Sequence, residues 1–190
     1  MGNVNVQTKE YMRDNAKFAD LCNYFLYNGQ EKIVAENLQE LDVTELASVF
    51  TDKGVVTQEK LRDLLKSCTV KTTDDVVYFL VGIENQTDIH YAMVVRNLLM
   101  DAMNYSNQAD TIAKNHRTKK DVKGDEFLSG FSKSDKLTPV ITITVYWGSG
   151  EWDGPRTLHE MLNCPEELLS YVPDYKMNLI VPRVFSLYHW

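Results

Sequence analysis

The sequence has no long apolar run, few cysteines and no excess of positive charge. Its apolar stretches are all far shorter than the roughly 18 residues that suggest a membrane-spanning helix. The three cysteines, Cys22, Cys68 and Cys164, lie far apart and match no metal-binding spacing. They are typical of buried thiols in a reducing compartment. These absences argue against a membrane-spanning protein, a disulfide scaffold and a zinc module.

The charge balance also limits the classes of partner. The formal net charge is −7, from 27 acidic residues against 20 lysines and arginines. An acidic protein of this kind can bind DNA only through a local basic patch or through metal ions. The opening segment MGNVNVQTKE has neither the basic nor the apolar region of a secretory signal, and it lacks a myristoylation motif. We therefore expect a cytoplasmic protein that does not bind membranes.

What is present predicts one globular domain over residues 1–190. The chain is 44% hydrophobic and long enough to bury a substantial core. Helical spacing of apolar residues occurs at 9–27, at about 89–109 and, after a capping box, at 157–162. Strand patterns occur at 77–85, 139–147 and 177–181, whereas 59–72 fits either a helix or a strand. This order favours an α/β fold with helices packed on a mixed sheet.

The strand at 77–85 is nearly all apolar but ends in polar side chains. Glu84 and Gln86 point to the same face because they are two residues apart, and Asn85 offers its backbone carbonyl between them. A hairpin could return Asp63 beside Glu84. Carboxylate and carbonyl oxygens suit Mg²⁺ or Mn²⁺, and such a metal can orient water and stabilise charge on a phosphate. On the residues alone, the simpler alternative is a strand that emerges into solvent, followed by a helix capped by Thr87 or Asp88.

Basic residues supply further candidates for binding a substrate. Arg96, early in the long predicted helix, could reach a phosphate, pair with Glu84, or form a surface salt bridge. The segment KNHRTKKDVKG, which we expect to be a mobile end of the helical region, is the strongest local basic patch. It is either a DNA-backbone contact or a solvated helix end. Its candidate substrate-binding residues are Lys114, Arg117, Lys119 and Lys120.

Several stretches of the sequence form a distinctive set. They are DNAKFADLCNYFLYNG, LRDLLKS, VYFLVGIENQTDIHYAMVVRNLLMDAMNY, FLSGFSKSDKLTPVITITVYWG and EWDGPRTLHEML. Together, over roughly residues 12 to 182, they resemble the recombination-promoting nuclease/transposase family of the PD-(D/E)XK nuclease superfamily. The resemblance implies a restriction-endonuclease-like core, in which helices flank a central mixed β-sheet and Asp63 lies on a strand.

The same resemblance implies a function and a set of site residues. It matches Asp63 and Glu84 to metal-binding acids, with the Asn85 carbonyl beside them and Gln86 in the place of the usual lysine. Asp20 matches an acid on the first helix that contributes in some relatives. The implied activity is that of a DNA endonuclease that uses Mg²⁺ or Mn²⁺ to hydrolyse phosphodiester bonds. DNA is the implied partner, and a homodimer is left open.

Two departures from the family pattern support an alternative. Gln86 is neutral, so it cannot neutralise developing charge as a lysine would. The ending NLIVPRVFSLYHW lacks the helical extension expected of family members. The alternative is a catalytically degenerate nuclease-fold protein that binds nucleic acid or protein.

Overall fold

The computed structural model describes residues 2–41, 48–51, 54–57, 63–71 and 76–182. Within these ranges the helices are α1 (Gly2–Arg13), α2 (Asn15–Tyr27), α3 (Met93–Lys119), α4 (Asp125–Ser129) and α5 (Glu166–Leu169). The strands are β1 (Leu38–Glu40), β2 (Ser48–Thr51), β3 (Gly54–Thr57), β4 (Leu64–Lys71), β5 (Val76–Gln86), β6 (Val140–Tyr146) and β7 (Asn178–Ile180). Residues 183–190, which include most of the short ending, lie outside the described residues.

The main sheet has five strands in the order β1-β4-β5-β6-β7. β4 is antiparallel to both β1 and β5, whereas β5, β6 and β7 run parallel to one another. β2 and β3 pair with each other as a separate hairpin. The α/β class and the mixed sheet flanked by helices are therefore confirmed. Among the described residues, no helix combines the length and the apolar character needed to cross a bilayer.

The central strand β5 is covered on both faces, as its continuous apolar sequence predicts. On one face, Phe18 and Cys22 of α2 pack against Val81, Ile83 and other apolar side chains of the sheet. On the other face, α3 lies against β6, and its polar side chains bond to threonines of that strand. The threonine side chains of β6 that face α3 are therefore both buried and hydrogen-bonded to that helix.

Two of the three cysteines are buried, as the sequence predicts, and the third is not. Cys22 of α2 and Cys68 of β4 are buried in the same hydrophobic core. Burial raises the pKa of Cys68 to about 12, so this thiol stays protonated and inert at neutral pH. Cys164 is half-buried, and the expectation that all three thiols are buried is wrong for this residue.

The helix predicted at 9–27 is divided in two at Asp14. The side chain of Asp14 caps α2, because its Oδ1 accepts hydrogen bonds from the backbone nitrogens of Ala16 and Lys17. Lys66 of β4 binds the junction between α1 and α2. Its Nζ donates to the Arg13 carbonyl oxygen at 2.7 Å and to Asn15 Oδ1 at 2.6 Å, and the side chain is fully buried. Burial lowers the pKa of Lys66 below its ordinary value.

The long helix differs from its prediction at both ends. α3 begins at Met93, after Ala92, and no side chain caps it, so neither Thr87 nor Asp88 has the predicted role. It continues to Lys119, and Lys120 ends it in a left-handed conformation. The basic segment 114–124 therefore includes the last turns of α3 and the residues that follow it, and its mobility stays a prediction. Lysine and arginine are good helix formers, and their charge is favourable in a last helical turn.

The capping box at Thr157 forms a single turn of 3₁₀ helix, His159–Met161, instead of an α-helix. The Glu160 nitrogen donates to the Thr157 hydroxyl at 3.4 Å, as in a capping box, whereas the Glu160 carboxylate accepts a hydrogen bond from the Arg156 nitrogen at 2.7 Å. One half of the motif is present without the turns that would follow it.

Candidate active site

Asp63 and Glu84 lie opposite each other at one end of the β4–β5 hairpin. The antiparallel register pairs Leu64 with Ile83, which places Asp63, the residue before β4, across from Glu84. The Asp63 nitrogen donates to Glu84 Oε1 at 3.2 Å, and the Asn85 nitrogen donates to Asp63 Oδ2 at 2.9 Å. Each carboxylate is thus held by the backbone of the other strand. The two acids come together as the sequence predicts, although residues 58–62, which precede them, lie outside the described ranges.

Glu84 is a buried carboxylate. Only 1% of the residue is exposed, so the interpretation of this position as a strand emerging into solvent is wrong. Arg96 of α3 reaches it, with 3.3 Å between Arg96 Nη2 and Glu84 Oε2. On the neighbouring strand, Thr144 lies in register with Glu84 and accepts a hydrogen bond from the Asn97 amide at 2.9 Å. α3 therefore covers Glu84 with polar side chains.

Lys9 of α1 faces the other acid of the pair. Its Nζ lies 3.5 Å from Asp63 Oδ1, and the side chains of Lys9 and Asp63 are 31% and 32% exposed. Sequence reasoning did not identify Lys9. It belongs to a helix far from Asp63 along the chain, and neither periodicity nor spacing connects a lysine on one element to an acid on another.

Asn85 and Gln86 point away from each other at the end of β5. The Asn85 side chain is buried, and its Oδ1 accepts a hydrogen bond from Trp147 Nε1 at 2.9 Å. Its Nδ2 has no hydrogen-bond partner in the part of the chain that the structure describes. Gln86 is half-buried and shares the face of Glu84. Gln86 therefore lies where it can bond to a group near Glu84, but it adds no charge there.

The remaining candidates lie elsewhere on the surface. Asp20 is exposed on α2 and lines a groove of about 420 Å³, whose lining includes neither Asp63 nor Glu84. Lys114 and Arg117 line a second groove, of about 840 Å³, near the end of α3. At 1.5 Å per residue, Lys114 is about 27 Å from Arg96 along the helix axis. The structure thus groups Asp63, Glu84 and Arg96 and places the basic residues toward the far end of α3, whereas Asp20 lines a groove of its own.

The exposed basic residues Lys119 and Lys120 lie beside a histidine held by two acids. His116 Nδ1 is 2.6 Å from Asp121 Oδ1, and His116 Nε2 is 2.8 Å from Asp135 Oδ2. Hydrogen bonds to Asp121 and then to Asp135 raise the pKa of His116 above its ordinary value. The histidine ties the end of α3 to the segment that leads into β6. Nothing in the sequence spacing indicated this cluster.

The carboxylate pair suits a divalent cation by the chemistry of its donors. In the described parts of the chain, no group of three or more His, Cys, Asp or Glu side chains could hold a metal. Two carboxylates supplemented by backbone oxygen or water are nevertheless an ordinary donor set for Mg²⁺. The Asp63 side chain is about a third exposed, so an ion can reach it, and the buried Glu84 carboxylate accepts a hydrogen bond from the Asp63 backbone nitrogen. The fit of the pair to a metal ion therefore rests on the chemistry of its donors.

Comparisons of the chain with protein-family models, with curated proteins and with solved structures find no match.

Proposed function

We propose that the protein is a metal-dependent DNA endonuclease with a restriction-endonuclease-like core, related to the recombination-promoting nucleases. The observation that carries this proposal is the pairing of Asp63 with a buried Glu84 at the end of the central hairpin. Burying a carboxylate is costly, and a hydrophobic side chain would serve stability as well or better. A buried acid beside a second, more exposed acid is therefore better explained by a function than by folding.

The residues at the site divide the work of metal binding, water orientation and carboxylate positioning in this proposal. Asp63 and Glu84 hold Mg²⁺ or Mn²⁺ together with the Asn85 backbone carbonyl. The metal, when bound, lowers the pKa of a water molecule and neutralises charge on the phosphate. Gln86 orients the water by hydrogen bonding, and it leaves charge neutralisation to other groups. Arg96 fixes the orientation of the Glu84 carboxylate through their ion pair.

The basic end of α3 gives the proposed nuclease a surface for the DNA backbone. Lys114, Arg117, Lys119 and Lys120 all lie at the end of the helix remote from Arg96. The separation of about 27 Å corresponds to roughly eight base pairs of B-DNA, at 3.4 Å per base pair. A duplex lying along α3 would contact the basic residues with one stretch of backbone and the carboxylate pair with another.

The direct test is nicking of supercoiled plasmid DNA in the presence of Mg²⁺ or Mn²⁺. We expect Asp63→Asn and Glu84→Gln each to reduce the rate by at least about a hundredfold, since even groups that only orient a metal ligand contribute up to that factor. Asp125→Asn is the matched control, because it removes one exposed acid on α4 that has no part in the proposed site. Cleavage that persists in both the Asp63→Asn and the Glu84→Gln variants would refute the proposed nuclease function.

A second candidate is a nuclease-fold protein that binds nucleic acid or protein without cutting. It is favoured by the charge balance at the pair, where Lys9 and Arg96 already provide one cation for each carboxylate. The neutral side chain of Gln86 also favours this second candidate. Tight duplex binding with no cleavage under either metal would support this candidate, whereas robust metal-dependent turnover would remove it.

A further inference from the structure

The two cations at the carboxylate pair have different surroundings. Arg96 binds Glu84, which is 1% exposed, so separating them would leave a charge in the protein interior. Lys9 and Asp63 are each about a third exposed, and the 3.5 Å between their charged atoms is long for a charge-assisted hydrogen bond. An exposed ion pair of this kind contributes little to folding. Lys9 can therefore leave Asp63 at low cost, whereas Arg96 cannot leave Glu84.

Among the described residues, two ion pairs already match the two carboxylates of the site with two cations. Asp63 and Glu84 carry two negative charges, and Lys9 and Arg96 carry two positive charges. A divalent cation bound by the same carboxylates would create an excess of two positive charges within a few ångströms. Since Lys9 has the flexible stem and pairs with the more exposed acid, Asp63, whereas Arg96 pairs with the buried Glu84, Lys9 is the group that such an ion would displace.

We propose that Lys9 and the divalent cation are mutually exclusive partners of Asp63, and that the displaced ammonium of Lys9 binds the phosphate of the DNA substrate. This inference rests on the nuclease function proposed above. Helix α1 packs against β4 and β5 and keeps Lys9 beside the site after displacement. A phosphate brought to the metal is then the nearest anion available to the lysine. Lys9 would supply the positive charge that Gln86 cannot.

The test combines metal binding without DNA and cleavage kinetics. The variants are Lys9→Gln, Lys9→Arg and the control Lys17→Gln, which removes a lysine of comparable exposure from α2. In calorimetric titrations with Mn²⁺, we expect Lys9→Gln to tighten binding about twofold to fivefold, the range for losing an exposed ion pair. Lys9→Arg and Lys17→Gln should leave the metal affinity close to that of the original chain.

In nicking assays at saturating Mn²⁺, Lys9→Gln should raise KM for duplex DNA, and Lys9→Arg should restore it. The outcomes separate the inference from the function on which it rests. If Asp63→Asn abolishes Mn²⁺ binding while Lys9→Gln leaves the affinity unchanged, the competition is overturned and the metal site stands. If KM is unchanged, the phosphate role is overturned. If Mn²⁺ binding persists unaltered in both Asp63→Asn and Glu84→Gln, the proposed metal site itself is wrong.

Discussion

Arg96 holds the buried carboxylate of Glu84 by an ion pair of 3.3 Å between Nη2 and Oε2. Replacing Arg96 with methionine keeps much of the side-chain volume but leaves Glu84 in the interior without its cation. We expect Arg96→Met to lower the free energy of unfolding by about 1–3 kcal/mol, below the full cost for a buried pair because Arg96 is partly exposed. Urea denaturation at pH 7 measures the difference.

The matched control is the double variant Glu84→Gln/Arg96→Met, which removes both charges. Its free energy of unfolding should exceed that of Arg96→Met alone, because no uncompensated carboxylate remains. A double variant whose loss equals the sum of the two single losses would show that the charges do not interact.

Because of the His116 cluster, the free energy of unfolding should fall both when pH rises above an intermediate range and when it drops below that range. The pKa of His116 is raised, so its contribution is complete below the ordinary histidine value of 6.5 and is lost as pH rises through the higher folded value. The pKa values of Asp121 and Asp135 are lowered, the former by His116 and the latter mainly by the Ser132 backbone nitrogen. Their contribution is present above 3.8 and is lost as pH falls through the lower folded values.

The stability difference between the original chain and His116→Gln should therefore be largest between pH 3.8 and 6.5. Urea midpoints measured from pH 3 to pH 9 would test this. His90→Gln, which changes an exposed histidine outside the cluster, is the control. A difference that does not vary with pH would contradict the role given to the cluster.

The basic end of α3 should contact the DNA backbone without reading sequence. The double variant Lys114→Gln/Arg117→Gln should weaken duplex binding to a similar extent for unrelated sequences. It should also reduce the slope of log affinity against log salt concentration by about two, one for each lost phosphate contact. Lys32→Gln/Lys176→Gln removes the same charge from exposed positions outside α3. If both double variants change the slope equally, the effect is one of net charge.

The carboxylate pair was predictable because its geometry follows from local rules. Residues two apart on a strand share a face, and a hairpin brings nearby segments into antiparallel register. Those rules place Glu84 and Gln86 together and return Asp63 to them. There is also a physical reason why the sequence of residues 59–72 fits either a helix or a strand. β4 has Lys66 among its buried residues, and a lysine interrupts the alternation that identifies a strand.

The contacts of the two cations at the site, Arg96 and Lys9, are harder to predict because they join residues on different elements. Arg96 follows Glu84 closely, so pairing between them was among the alternatives that the sequence allowed, and the structure contains that pair. Lys9 reaches Asp63 only because α1 packs against the hairpin, and no sequence period records that packing. The boundaries of α3 were missed for another reason. Favourable intrinsic helix propensity carried the helix through a basic segment with no apolar stripe, which the hydrophobic pattern alone does not detect.

The buried Lys66 has a consequence for how the chain folds. The β4–β5 hairpin is local, but the two acceptors of the Lys66 ammonium, at Arg13 and Asn15, come from much earlier in the chain. A hairpin formed alone would present that charge on the face that becomes the core, so the ammonium must stay hydrated until the helices arrive. We expect native-state hydrogen exchange to give α2 and β4 the same opening free energy. The N-terminal helices and the sheet would then form a single cooperative folding unit, and a chain without α1 would not fold to a smaller domain.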